Sequence, residues 1–221
     1  MLRAMVFIDY ENYNIALNNY YRKYLNKPLP NNQNNTSTTP NKITVPKINL
    51  IRLSKELVKL LPEEHSWVKT YIFVPKPDDF LMQETWRENT YKWATDLNNL
   101  PCIKVVEGEH IARPVDGYTK NTMDIKNPQT YYVEEKGTDV NLTINVLTKA
   151  FHNAYDTAII VSGDNDYIPV MDILDTIGKS VVVVGIHGQT LAKSKSHADL
   201  QLFLDDRFFQ RCAITPNKRQ R

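Results

Sequence analysis

Acidic side chains stand where runs of β-branched and apolar residues end. The run Met5–Ile8 leads into Asp9-Tyr10-Glu11-Asn12, and the run Ala158–Val161 leads into Ser162-Gly163-Asp164-Asn165-Asp166. Between them, Lys136-Gly137-Thr138-Asp139 opens a helical stretch. Open α/β sheets bind ligands beyond the carboxyl ends of their strands, where the strand order reverses. If these two runs are neighbouring strands, Asp9, Asp164 and Asp166 project into one crevice, and Asp139 joins them from a helix N-terminus. Carboxylates crowded in such a crevice repel one another, and burial raises the cost. A divalent cation that prefers oxygen ligands, Mg²⁺ or Mn²⁺, removes the conflict. Each acid alone also fits a helix cap or a favourable contact with a helix dipole. Their joint occurrence is what selects the metal-site reading.

The elements that must hold these acids alternate along the chain. Met5–Ile8, Trp67–Val74, Cys102–Val106, Ala158–Val161 and Val181–Val184 read as buried strands, nearly continuous in apolar residues as in a sheet covered on both faces. Helical spacing predicts helices over Ile48–Leu61, Asp78–Leu97, Asp139–Phe151 and Asp166–Ile177, with Pro62 and Gly178 as stops. Their inward stripes are read as Met82, Trp86, Trp93 and Leu97 in the second, and Val140, Ile144, Leu147 and Phe151 in the third. Strands alternating with helices give an α/β fold with a mainly parallel sheet. Two stretches break the rhythm. An Asn-, Thr- and Pro-rich insert is expected at about 26–47, and a hairpin-like excursion at about 107–135. The expected organisation is one domain over 1–211 followed by a basic tail, 212–221.

Composition narrows the classes further. The 221 residues are 42% hydrophobic and 24% charged, which describes an ordinary globular chain. Lys and Arg number 27 against 25 Asp and Glu, a net charge of +2. That excludes binding by bulk positive charge, as in a polybasic nucleic-acid or membrane-surface protein. Cys102 and Cys212, far apart and without CxxC spacing, form neither a zinc site nor a secreted disulfide framework. No apolar run is long enough to span a bilayer, and the N-terminal residues run straight into a strand pattern, so a cytoplasmic address without membrane contact is expected. The five histidines lack HExxH spacing and read as surface or packing residues.

The segments Val6–Asn14 (VFIDYENYN), Glu135–Leu147 (EKGTDVNLTINVL), Ile159–Asp172 (IIVSGDNDYIPVMD) and Gly178–Gly185 (GKSVVVVG) resemble the NYN domain family, of the LabA-like, PIN-like nucleases. Ala198-Asp199 followed by Leu202-Phe203 resembles its closing element. The resemblance implies a Rossmann-like, PIN-type three-layer α/β/α sandwich and metal-dependent cleavage of RNA. Its metal-binding acids map onto Asp9, Asp139, Asp164 and Asp166, with Asn12 near the metal to orient a ligand or a bound water. Tyr10 could stack on a base and Lys136 could meet a phosphate oxygen; a packing tyrosine and a solvated lysine are the alternatives. The expected partner is single-stranded RNA, with a homo-oligomer left open. A haloacid dehalogenase phosphatase would want Asp where Glu11 stands, and a Toprim domain usually has Glu as its first acid. A non-catalytic RNA-binding or regulatory module of the same fold is the competing reading from another class.

RNA affinity is expected to fall with rising salt, with a shallower slope once Lys193 and Lys195 are neutralised. An unchanged slope, measured by binding titrations at several salt concentrations, would assign both lysines to a solvated face.

Overall fold

The structure, a computed structural model, describes residues 1–25 and 45–214. Most of the expected insert and of the basic tail therefore lies outside the described residues. In chain order the elements are β1 (Leu2–Asp9), α1 (Tyr10–Tyr20), α2 (Leu50–Val58), β2 (His65–Pro77), α3 (Thr85–Asp96), β3 (Ile103–Pro114), β4 (Tyr131–Lys136), α4 (Thr138–Phe151), β5 (Thr157–Val161), α5 (Ile168–Thr176), β6 (Ser180–Ile186), β7 (Leu200–Leu204) and α6 (Asp206–Cys212). The strands form one seven-stranded sheet in the order β4-β3-β2-β1-β5-β6-β7. Every pairing is parallel except β3 with β4. All five strands expected from the sequence are present, and the excursion is an antiparallel β3–β4 hairpin with a long connection.

Alternation along β1 explains the layering. Ala4, Val6 and Ile8 join one apolar cluster with residues of α1, α2 and α6, whereas Met5 and Phe7 join a second with residues of α4 and α5. Helices thus cover both faces, and β1 and β5 are buried on each side, which is why their sequences lack polar alternation. From β1 the order runs outward through β2 and β3 on one side and through β5, β6 and β7 on the other. The switch point therefore lies between β1 and β5, above which Asp9 and Asp164 stand. At the opposite end of this pair, the Arg3 guanidinium meets both oxygens of Asp156, at 3.0 and 2.7 Å, and fixes the start of β1 beside β5. That pairing holds the Asp156 carboxyl down at about 2.

Two helical stripes differ from expectation. In α4 the inward residues are Thr138, Leu142, Val146 and Ala150, while Val140, Ile144 and Phe151 are exposed. Both faces of this helix are apolar, so spacing alone could not choose between them. In α3 only Ala94 is buried, and Trp86 is 60% and Trp93 37% exposed. This helix also starts later than expected. Asp78 accepts a hydrogen bond from Leu81 N–H at 2.9 Å and from Ala112 N–H at 2.8 Å. It thus holds the first N–H of a short 3₁₀ turn, Leu81–Gln83, and ties the end of β2 to β3 instead of starting a helix.

Gly108 and Gly137 set where α4 begins. Gly137 has φ +82°, a left-handed conformation that costs glycine little. A Cβ on Gly108 would lie 2.2 Å from Thr138 Oγ1, 2.8 Å from Thr138 N and 2.9 Å from Lys136 O. β3 can approach the α4 N-terminus, and with it Asp139, only because residue 108 has no side chain. Gly108→Ala is expected to destabilise the protein by about 1–3 kcal/mol, read as a fall in thermal midpoint. An unchanged midpoint would contradict this close approach.

Candidate functional site

Asp9 is the last residue of β1 and is only 6% exposed. Its Oδ1 accepts a hydrogen bond from Asn12 N–H at 3.1 Å, so it caps α1. Its Oδ2 accepts from the Ser162 hydroxyl at 3.1 Å and from the Tyr167 hydroxyl at 3.3 Å. The same Tyr167 hydroxyl donates to Asp139, in the first turn of α4. One phenolic proton serves only one acceptor fully, so Asp9 and Asp139 compete for it. Burial, joined by the charge of Asp139, lifts the Asp9 carboxyl to about 6 despite its three donors. Burial and the two carboxylates push the Tyr167 hydroxyl far above its ordinary value, so it stays a donor.

Asp164 stands just beyond β5. Its N–H donates to Ser162 Oγ at 3.1 Å, and its Oδ1 accepts from Asp166 N–H at 3.0 Å, capping a 3₁₀ turn. Ser162 therefore links Asp9 to the Asp164 backbone. Asn12 Oδ1 accepts from Gly163 N–H at 2.9 Å and latches α1 onto this loop. Asp9 and Asp164 are thus both caps, and of the two only Asp9 shares a donor with a second acid. Asp166 is exposed, and its carboxylate has no hydrogen bond or ion pair among the described residues. Tyr167 takes the cap position of α5. Tyr10 packs 5.6 Å from Trp93 and 6.4 Å from Tyr13. Lys136 is exposed and pairs with Glu134 at 3.3 Å.

Residues not assigned from sequence complete the site. His110 Nε2 lies 3.0 Å from Glu11 Oε2, and His110 is register partner of Glu135 across the β3–β4 hairpin. Burial, together with the charges of Asp139 and Glu11, raises the Glu135 carboxyl. Ser162 entered the sequence reading only as the first residue of the Asp164 loop, and Glu11 only as a neighbour of Asp9 and a mismatch to a phosphatase. Tyr167 directly follows the Asp164/Asp166 pair, which was the one legible signal for it. The His110–Glu135 pairing joins positions 25 residues apart and had no local signature.

Among the described residues no group of three or more His, Cys, Asp or Glu side chains is arranged to hold a metal ion. Asp9 and Asp139 are brought together through Tyr167; Asp164 and Asp166 are engaged in, or exposed beside, their own turn. The donor chemistry nevertheless fits a hard cation. The set consists of carboxylate and amide oxygens, and burial first, with neighbouring carboxylates second, raises the carboxyls of Asp9 and Glu135.

The Asp9 value of about 6 lies above the ordinary 3.8, so folding favours the protonated acid. Its contribution to stability is complete below pH 3.8 and vanishes as pH rises through about 6. In EDTA, wild type should lose about 1–2 kcal/mol more stability than Asp9→Asn between roughly pH 5 and 7.5. Urea unfolding checks this, and parallel profiles for the two proteins would refute it.

The NYN domain family matches residues 87–205, more than half of the chain and a span that includes Asp139, Asp164 and Asp166 but not Asp9. A solved structure of a protein of unknown function from Vibrio parahaemolyticus is 17% identical with a TM-score of 0.54, covering 94% of this chain and 95% of that one. That likeness shows a shared fold. No curated protein matched the chain. Among the described residues no helix is long and apolar enough to cross a membrane. With its alternating α/β sheet and a family match over more than half of its length, the chain belongs to the NYN domain family, whose members are generally nuclease-like.

Proposed function

We propose that this protein is a metal-dependent endoribonuclease that hydrolyses phosphodiester bonds of single-stranded RNA, with residues 1–211 acting as one domain. Asp9, Asp139, Asp164 and Asp166 would hold Mg²⁺ or Mn²⁺. The observation that carries this reading is the buried carboxylate of Asp9 at the switch point, which shares the Tyr167 hydroxyl with Asp139 and is raised to about 6 by burial. When bound, the cation supplies activation of water and neutralisation of charge on the phosphoryl group in flight.

The chain's own residues do the positioning. Ser162 and the Asn12 N–H hold the two oxygens of Asp9, and Tyr167 gives its proton to whichever of Asp9 and Asp139 carries more negative charge. The Asn12 side chain fixes the Asp164 loop through Gly163. Tyr10 follows Asp9 directly and is assigned to the substrate base next to the scissile bond. Lys136 reaches a phosphate only when its pair with Glu134 opens. One observation favours a non-catalytic RNA-binding module instead: the Tyr167 hydroxyl already occupies the space between Asp9 and Asp139.

Incubation of labelled single-stranded RNA with the purified protein separates the two. Cleavage in Mn²⁺, none in EDTA, and a loss of at least about 100-fold in Asp164→Asn and Asp139→Asn with unaltered folding are expected. RNA bound without products in Mn²⁺ selects the module, and full activity in Asp164→Asn removes that residue from the centre.

A further inference from the structure

Beside Tyr10 lies a cavity whose lining, among the described residues, includes none of Asp9, Asp139, Asp164 and Asp166. It measures about 420 Å³, within the range typical of small-ligand sites, and opens between α1, α3 and the segment leading into α2. Tyr10 and Trp93 form one wall, their rings 5.6 Å apart at 44°. A smaller cavity of about 120 Å³, lined by Glu11, His110, Trp86 and Arg87, adjoins it. Tyr10, Asn14 and Thr90 line both, so the two cavities meet at Tyr10, and the smaller one reaches Glu11 and His110.

The lining has the chemistry of an unstacked base. Trp86 and Trp93 remain 60% and 37% exposed, although indole rings of that size are ordinarily covered. Arg87 stacks its guanidinium 4.5 Å from the Trp86 ring centre, a cation–π contact that covers one face of that ring. Three amides supply hydrogen bonds to a base edge. Asn18 uses its Nδ2 on Asn14, 2.8 Å from O and 3.2 Å from Oδ1. Asn18 Oδ1, Asn14 Nδ2 and the whole Asn89 side chain have no partner among the described residues. Tyr13, also in the lining and 4% exposed, has a hydroxyl without a hydrogen-bond partner among them. Among the described residues no carboxylate lines the larger cavity and its one cation is Lys47, which is exposed and without an ion pair among them.

We infer that the 420 Å³ cavity beside Tyr10 is a nucleobase pocket: it takes one unstacked base of a single-stranded RNA, stacked on Trp93 and Tyr10 and read by Asn14, Asn18 and Asn89. Lys47 meets the adjoining phosphate. This assignment rests on RNA being the substrate and explains how a chain of net charge +2 could grip it without a polybasic surface. A duplex presents no free base and is excluded.

The test uses full-length protein in EDTA, so that binding is read without cleavage. The probes are a single-stranded oligoribonucleotide carrying 2-aminopurine and the same oligonucleotide with one abasic position. Wild type should quench the 2-aminopurine and bind the intact strand about tenfold more tightly than the abasic one. Trp93→Ala should erase that difference at an unchanged salt slope, and Trp93→Phe should restore most of it. Asn89→Ala, on an exposed helical face, should change which base is preferred. Equal affinity of wild type for intact and abasic strands, or a Trp93→Ala protein that still separates them, overturns the pocket. Base-dependent binding with no cleavage in Mn²⁺ retains the pocket and sinks the nuclease reading; cleavage without base-dependent binding does the reverse.

Discussion

A carboxylate at the end of the central strand, buried and facing another carboxylate, is the constraint around which this molecule is arranged. Water is excluded from Asp9 by the helices on both faces of the sheet, so its charge must be met by donors built into the fold. Three donors are present: a backbone N–H, the Ser162 hydroxyl and the Tyr167 hydroxyl. They do not suffice, because burial and Asp139 still raise the carboxyl to about 6. Removing a charge this way costs folding energy near neutral pH, and an entering cation would recover it. The expense of the site and its capacity to bind a hard ion have the same physical origin.

The remainder of the fold brings the second carboxylate to that place. Asp139 lies far from Asp9 in sequence and is delivered by an edge hairpin, β3–β4, whose last residues run directly into α4. The delivery works because β3 passes the α4 N-terminus at a glycine, where any side chain would collide with Thr138. Asp164 arrives by a shorter route, at the end of the strand that pairs with β1. The hairpin also contributes His110 and Glu135, so the site's outer charges and its inner acid are set by one antiparallel register. In the smaller cavity, Glu11 and His110 stand together with Trp86 and Arg87.

Much of this was legible in the sequence, and the failures have physical causes. The five expected strands were visible because strands covered on both faces are continuously apolar, and the end of each run then pointed to Asp9 and Asp164. The inward face of α4 was misread because Val140, Ile144 and Phe151 make an outer apolar stripe as regular as the inner one of Leu142, Val146 and Ala150. Trp86 and Trp93 were placed on one stripe with Met82 and Leu97 by helical spacing, whereas α3 leaves them open. Tyr167 and Ser162 eluded assignment because their roles depend on where β1 and β5 meet, which no local pattern encodes. His110 could be linked to Glu135 only through the hairpin register.

Calorimetric titration of the metal-free protein with Mn²⁺ at about pH 5.5, in two buffers of different ionisation enthalpy, tests most directly whether Asp9 is the pivot of a cation site. A cation that binds Asp9 must displace the proton held by a carboxyl with a value of about 6. Release of roughly 0.5–1 proton per ion bound is expected, and it should largely disappear in Asp9→Asn along with most of the affinity. Identical heats in the two buffers, or Mn²⁺ bound equally well by Asp9→Asn, would contradict it.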